Sequence, residues 1–418
     1  MKSVNIGNFK LGIDMKSDEA ELPKGAVRDA VNVDITLDGG VRRRRGLIKR
    51  AGFTGGHSMW SPRSQAFALF AQADALRMIQ VKPDGSVAAR TVLTGLFAAD
   101  AVSYCELEQR VVFTNGRDLG TVDANGNARM IGVTDPAGMP TVSVGAGGLQ
   151  HGRYGAAYSF VNARGVESGL SPAAFIDLPE GGGIVFALPV IPDDAVSIRA
   201  YTTPANGEVF YQMAEVPAGM ATVTVGDDAP GKLADTQFLH RMPGGSIVRV
   251  FKGRLLVAVD NFLAFSEPFN YGLTSRRHNF IQFESTVTMV EAVESGVYVG
   301  TEAAVYFLAG SGPKDFEQAV VSFNVPVPGA STLLPSARLP DDMERLTDAP
   351  VAVWLGAIGY SVGLATGLVH DVQSDRIDLP NYAAGSTVTY TTNGLTQLIS
   401  VVQSEQSNGA GSAIDSIT

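Results

Sequence analysis

Phe67–Val87 reads FALFAQADALRMIQVKPDGSV. An apolar run, a polar turn, a second apolar run and an Asp-Gly turn follow one another, which is the signature of a meander of short strands. Val111–Ile131, VVFTNGRDLGTVDANGNARMI, repeats the same order of parts. Leu255 opens LLVAVDNFLAFSEP, Val297 opens VYVGTEAAVYFLAG, and Ala352 opens AVWLGAIGYSVGLATGLVHDV. Each unit is apolar strand, short turn, apolar strand, at the spacing of about 40–55 residues that four-stranded propeller blades show. The similarity is one of pattern rather than identity. The expected fold is all-β, a propeller-like body, with an array of β-sandwiches as the competing architecture.

Turn chemistry points the same way. Asp-Gly or Asn-Gly pairs stand at Asp38-Gly39, Asp84-Gly85, Asn115-Gly116, Asn125-Gly126, Asn206-Gly207 and Asn393-Gly394. Such pairs favour tight hairpins because their central residues need positive φ. Helix signals are scarce, and the best candidate, KGAVRDAVNV (Lys24–Val33), covers barely two turns. Between about Asp135 and Gly245 the texture changes. Tyr154, Ala156, Tyr158 and Phe160 alternate with small or polar residues, and VSIRAYTTPANGEVFYQMAEV reads as strand, turn, strand. These short strands suggest an inserted immunoglobulin- or fibronectin-like sandwich, without the Cys-Trp-Cys set of true immunoglobulin domains. Pro/Gly-rich TDPAGMP and MPGGS serve as its linkers. The expected division is residues 1–135 and 246–403 for the two parts of the propeller, 136–245 for the insert and 404–418 for a flexible or partner-bound tail.

Bulk composition narrows the function classes. The 418 residues carry 32 basic and 42 acidic side chains, net −10, which argues against a surface that coats nucleic acid. A hydrophobic share of 45% and a charged share of 18% fit a globular chain. The one cysteine, Cys105, excludes an internal disulfide and a C-x-x-C site, and its apolar flanks make it a core residue. MKSVNIGNFKLGIDMK lacks the continuous apolar run of a secretory signal. Ala349–Val369 is free of charge and spaces Gly359, Gly363 and Gly367 like a membrane helix. Pro350 and acidic or mixed flanks oppose that reading, and two buried strands joined by a turn are expected instead.

Chemical motifs give little. Gly359-Tyr360-Ser361-Val362-Gly363 matches G-x-S-x-G, but no helix start follows and His370-Asp371 stand too close for a spread triad. VGAGGLQHG has clustered glycines without the amphipathic helix that dinucleotide binding needs. His57, His151, His240, His278 and His370 are isolated, so zinc is not expected. Asp193-Asp194, Asp227-Asp228 and Asp341-Asp342 sit beside Pro or Gly and read as turn residues. Neither a catalytic residue nor a cofactor is expected.

The opening string FKLGIDMKSDEAELPKGAVRDAVNVDITLDGGVRRRRGLIKRAG has a distinctive order. F-x-x-G-[ILV]-D is followed by L-P-x-G-A, A-x-N-V-D, an Asp-Gly turn and an arginine-rich strand. It resembles the opening of phage tail structural proteins, especially the propeller-containing nozzle or tubular proteins of short-tailed phages. GRLLVAVDNFLAFSEPFNYGL, ending a blade in Ser-Glu-Pro, is similar to a second feature of that group, and YSFVNARGVESGLSP fits tail modules. The resemblance implies a non-enzymatic virion protein of a tail or head–tail connector, made in the host cytoplasm. It also implies a homo-oligomeric ring, a hexamer, around the DNA exit channel, with other tail, adaptor or portal proteins as partners and no membrane span. An acidic lumen lets DNA pass without sequence-specific binding. The alternative functions are a host-receptor or carbohydrate-binding tail protein and, further off, an enzyme acting on cell-wall polysaccharide.

Arg42, Arg43, Arg44 and Arg45 follow the Asp38-Gly39-Gly40 turn. On a return strand their side chains divide between the two faces. Pairing within the hairpin and at a subunit interface is expected, with contact to DNA in a channel as the other assignment. Finally, a propeller must close without exposed strand edges. The hairpin at NVDITLDGGVRRRRGLI and the one at STVTYTTNGLTQLISVVQ are expected to share one composite blade.

Overall fold

The computed structural model describes residues 8–36, 38–44, 53–64, 66–82, 84–96, 101–227, 229–336, 339, 349–392, 395–404 and 415–417. Among these there is no α-helix. The chain begins with β1 (Gly12–Ile13) and β2 (Ala26–Val27), paired in parallel, and the hairpin β3 (Val33–Ile35) and β4 (Val41–Arg43). Two antiparallel meanders follow. The first is β5 (Gly56–Trp60), β6 (Ala68–Gln72), β7 (Ala75–Val81) and β8 (Val87–Leu93). The second is β9 (Ser103–Leu107), β10 (Arg110–Thr114), β11 (Leu119–Asp123) and β12 (Ala128–Met130).

The insert comes next. It holds β13 (Thr141–Leu149), β14 (Gly152–Val161), β15 (Ala174–Leu178), β16 (Gly182–Ala187), β17 (Ser197–Thr202), β18 (Tyr211–Pro217) and β19 (Thr222–Val225). β20 (His240–Arg241) leads out of it. The third meander is β21 (Ile247–Phe251), β22 (Arg254–Val259), β23 (Phe262–Phe265) and β25 (Phe280–Gln282), with β24 (Leu273–Thr274) looping aside to pair with β20. The fourth is β26 (Val287–Val293), β27 (Gly296–Thr301), β28 (Val305–Ala309) and β29 (Glu317–Ser322). The fifth is β30 (Ser331–Leu334), β31 (Val351–Gly356), β32 (Gly359–Gly363) and β33 (Val369–Asp371). β34 (Tyr382–Thr392), β35 (Leu395–Ser404) and β36 (Asp415–Ile417) form a last sheet.

The middle strands of these meanders are apolar without alternation because each blade is covered on both faces. Successive residues of one strand enter different interfaces. Val111 and Phe113 pack against the first blade, whereas Val112 between them packs against the third. Leu255 and Val257 face the second blade, and Leu256 and Ala258 face the fourth. Val297 and Val299 meet the third blade while Tyr298 meets the fifth, beside Ala352 and Trp354. Val351, Val353 and Leu355 turn to the terminal sheet, where Val402 waits with Tyr382 and Leu398. The five blades therefore stack in chain order as a propeller-like body. Each fully buried aliphatic or aromatic side chain contributes about 1.5–3 kcal/mol.

The repeat units of the sequence are thus the second and third strands of blades, and Ala349–Val369 is two buried strands with a turn between them. Asp84-Gly85, Asn115-Gly116 and Asn125-Gly126 each sit at a strand connection with the glycine at positive φ. Asn393-Gly394 lies outside the described residues.

One expectation is corrected, and the weak helix candidate resolves as extended chain. KGAVRDAVNV is not a helix: Gly25 has φ +106° and Ala26–Val27 pair with Gly12–Ile13. A segment of two turns is too short to hold a helix against that pairing. The composite blade is absent, since the two hairpins form separate sheets with no pairing between described residues. The chain's beginning meets its end by another route. Met15 N donates to Arg376 O (2.7 Å), Arg376 Nη1 to Leu11 O (2.8 Å) and Lys16 Nζ to Ser374 O (2.6 Å). Ile13 and Met15 complete the apolar cover of the fifth blade. Asp415–Ile417 lies along Ser400–Val402 as a third strand.

The insert is a two-sheet sandwich, β13-β16-β19 over β15-β14-β17-β18. Tyr154, Ala156, Leu149, Ile184 and Phe186 fill the space between the sheets. Its first strand pairs with its fourth, whereas the immunoglobulin order pairs the first with the second. The likeness expected from sequence therefore rests on the two-layer architecture alone.

Candidate functional site

β4 sets Arg42 opposite Asp34 and Arg43 opposite Val33. Arg42 Nε lies 3.7 Å from Asp34 Oδ2, and Arg44 Nε 3.2 Å from Asp34 Oδ1. Arg43, one residue out of step, is exposed. Phe9 N donates to Gly39 O (2.8 Å) and anchors the turn, where Gly39 has φ +81°. Hydrogen bonds from Thr36 and from Gly40 N hold the Asp38 carboxyl below its usual range. Arg45 lies outside the described residues. The hairpin thus neutralises part of its own charge through Asp34, with Arg43 turned the other way.

A more buried constellation lies where the first strands of the blades meet. Arg249 on β21 makes a two-pronged contact with Glu291 on β26, Nη2 to Oε1 at 3.0 Å and Nε to Oε2 at 3.4 Å. Ser331 Oγ on β30 donates to the same carboxylate at 2.7 Å. Arg249 Nη1 donates to Val248 O (2.9 Å) and reaches Ser103 Oγ on β9 (3.3 Å). Burial opposes the charge on Arg249, yet the adjacent Glu291 holds its pKa above the ordinary value. Four blades are fastened through one guanidinium and one carboxylate. Nearby, burial pushes the Cys105 thiol up to about 12, which keeps it inert as a nucleophile.

The insert has a counterpart. Glu167, from the loop after β14, accepts from Ser159 Oγ (2.5 Å), Tyr201 Oη (2.5 Å) and Arg199 Nη1 (2.7 Å). Arg199 Nε donates to Glu215 Oε2 at 2.9 Å, and Ser197 Oγ to Glu215 Oε1 at 2.8 Å. A third cluster joins insert to body. Asp135 accepts from Arg241 N at both oxygens (3.0 and 2.9 Å), and Asp194 accepts from Thr134 N and Oγ1, each at 3.0 Å. Arg241 Nη1 stands 3.6 Å from Asp194. The incoming and outgoing linkers are clasped together by these groups.

The remaining motifs resolve structurally. Ser361 is fully buried on β32, donates to Asp371 Oδ1 (2.6 Å) and accepts from Asn324 Nδ2 (2.8 Å). The glycines of VGAGGLQHG lie in or beside β13, where a Cβ at Gly147 would stand 2.6 Å from Gly182 O and 2.8 Å from Gly226 Cα. They permit close backbone approach inside the sandwich. Asp194 belongs to the clasp rather than to a mere turn, while Asp228, Asp341 and Asp342 lie outside the described residues. Among the described residues no group of three or more His, Cys, Asp or Glu could hold a metal ion, and no helix is long and apolar enough to cross a membrane.

Sequence reasoning did not find Arg249, Glu291, Glu167 or Arg199. The available signal was a charge inside an otherwise apolar strand, as in IVRVF and VTMVEAV.

No family model and no curated protein matches the sequence. Among solved structures, the chain is similar to the Neurospora crassa Pan2 WD40 domain, at 8% identity over 83% of this chain and 85% of that one, with a TM-score of 0.33. It is also similar to the N-terminal domain of Nup159 (13% identity, 81% and 71% covered, TM-score 0.25). A third is the AfRom2 CNH domain (10% identity, 73% and 93% covered, TM-score 0.20). Likenesses this loose assign no activity or partner, and the fold rests on the strand pairings themselves.

Proposed function

We propose that the chain is a non-enzymatic structural protein of a phage tail or head–tail connector, assembled as a nozzle-like ring around the path of DNA. The observation that carries this reading is the use of interior charge. Arg249 and Glu291 join blades, Asp135, Asp194 and Arg241 join insert to body, and Glu167, Arg199 and Glu215 join strands of one sheet. Ion pairs that join separate elements in this way favour one arrangement of the chain, as a structural subunit requires. The opening motif and its hairpin add to it, with Arg43 exposed for a neighbouring copy's carboxylates or for passing DNA. The net charge of −10 suits a channel wall that does not retain phosphate.

Native mass spectrometry and negative-stain imaging of the purified chain test the proposal. A closed ring, six-fold by the resemblance, that docks onto purified tails lacking this chain is the expected result. A monomer at every concentration, with no association to tails, overturns it.

A further inference from the structure

Three cationic residues line a cleft of about 290 Å³ beside the outgoing linker of the insert. Arg254 comes from β22, Arg277 from the loop between β24 and β25, and Lys314 from the loop between β28 and β29. None of the three makes an ion pair among the described residues, in a chain whose net charge is −10. Arg254 Nη1 donates to Ser266 O (2.6 Å), which fixes the guanidinium while leaving other donors for a ligand. His278 lies on the same rim. One carboxylate lines the cleft with them: Glu267, whose Oε1 accepts from the buried Asn279 amide at 2.7 Å.

The cleft also displays a strained aromatic ring. Phe238 has φ +65° and is 58% exposed. A bulky side chain in the left-handed region costs about 1–3 kcal/mol, and such strain collects at binding sites. The guanidinium of Arg277 stands over the ring, 5.0 Å from its centre, giving a cation–aromatic pair at the cleft.

We propose that this cleft binds a phosphate-bearing ligand whose ring system packs on the Phe238–Arg277 pair. Cations from three separate elements suit a tetrahedral dianion with three outward oxygens. A carboxylate has two coplanar oxygens and is satisfied by a single arginine fork. Phosphate brings the negative charge that the cleft lacks, and the exposed ring offers a surface on which a ligand ring can pack. The site lies apart from the arginine hairpin and goes beyond the ring-forming role.

Isothermal titration calorimetry of the full chain with inorganic phosphate, adenosine 5′-monophosphate and adenosine tests this. The monophosphate is expected to bind more tightly than phosphate, with adenosine weakest. Arg277→Ala and Lys314→Ala, both at exposed positions that leave the fold intact, should each weaken the monophosphate roughly tenfold. Phe238→Leu should weaken the monophosphate but not phosphate. Equal affinities for phosphate and monophosphate would assign the cleft to free phosphate and overturn the role of Phe238. Monophosphate binding unchanged in the two charge variants, or no binding of either anion to a chain that melts normally, overturns the site.

Discussion

Body and insert each bury an arginine among acids and hydroxyls, yet the two networks do different work. Arg249 contacts groups at positions 103, 248 and 291, and Ser331 joins through Glu291, so the network as a whole spans four blades. Arg199 gathers Glu167 and Glu215 from the loop and strand beside it in one sheet. Glu291 has a side chain only 3% exposed, whereas Glu215 is 39% exposed. The same chemistry fastens separate units in one case and staples neighbouring strands in the other. Depth and sequence separation decide what each is worth.

The largest effect is expected at Glu291. Glu291→Ala leaves Arg249 buried without a counter-charge, and loss of one member of a buried pair costs about 3–5 kcal/mol. Denaturant unfolding monitored at the buried Trp354 reads it, and a loss below about 1 kcal/mol would break the comparison. Glu167→Ala should cost less, about 1–3 kcal/mol, because it deprives Ser159, Tyr201 and Arg199 of an acceptor while Arg199 keeps Glu215. Hydrogen exchange should then quicken in β14 and β17 and stay unchanged in the blades. Combining the two substitutions sharpens the contrast. Sites in different cores should add to within about 0.5 kcal/mol, and a larger coupling would show that the two networks interact through the folded structure.

The smallest effect is one of pH. Burial works against the Glu215 charge, but Arg199 and Ser197 hold its carboxyl below its ordinary 4.5. A carboxylate with a lowered folded-state pKa stabilises above the unfolded value and loses that contribution as pH falls through the folded one. Wild type should therefore exceed Glu215→Gln by no more than about 1 kcal/mol at neutral pH. The gap should close as the pH drops below 4.5. A gap that widened in acid would reverse the assignment.

What was legible follows the range of each interaction. Phe67–Val87 and its counterparts announce strand, turn and strand because alternation and positive-φ glycines are properties of adjacent residues. The division of Arg42 and Arg44 from Arg43 was readable for the same reason. Lys24–Val33, the best of the scarce helix signals, was too short to compete with pairing to Gly12–Ile13. The pairing of the two terminal hairpins misled because closure was a correct requirement with several solutions, and the chain met it through Leu11–Lys16 against Ser374–Arg376.

Local patterns were enough for an all-β chain of repeated hairpins and a core cysteine. These depend on period, turn residues and burial preference, all of which act within a few residues. Only the tertiary structure decided which face of each strand meets which neighbour, and it alone brought Arg249 to Glu291, Asp135 to Arg241, and Arg254, Arg277 and Lys314 into one cleft. Charges so far apart in the chain carry no mutual signature, because their energy of interaction exists only once the intervening blades have packed.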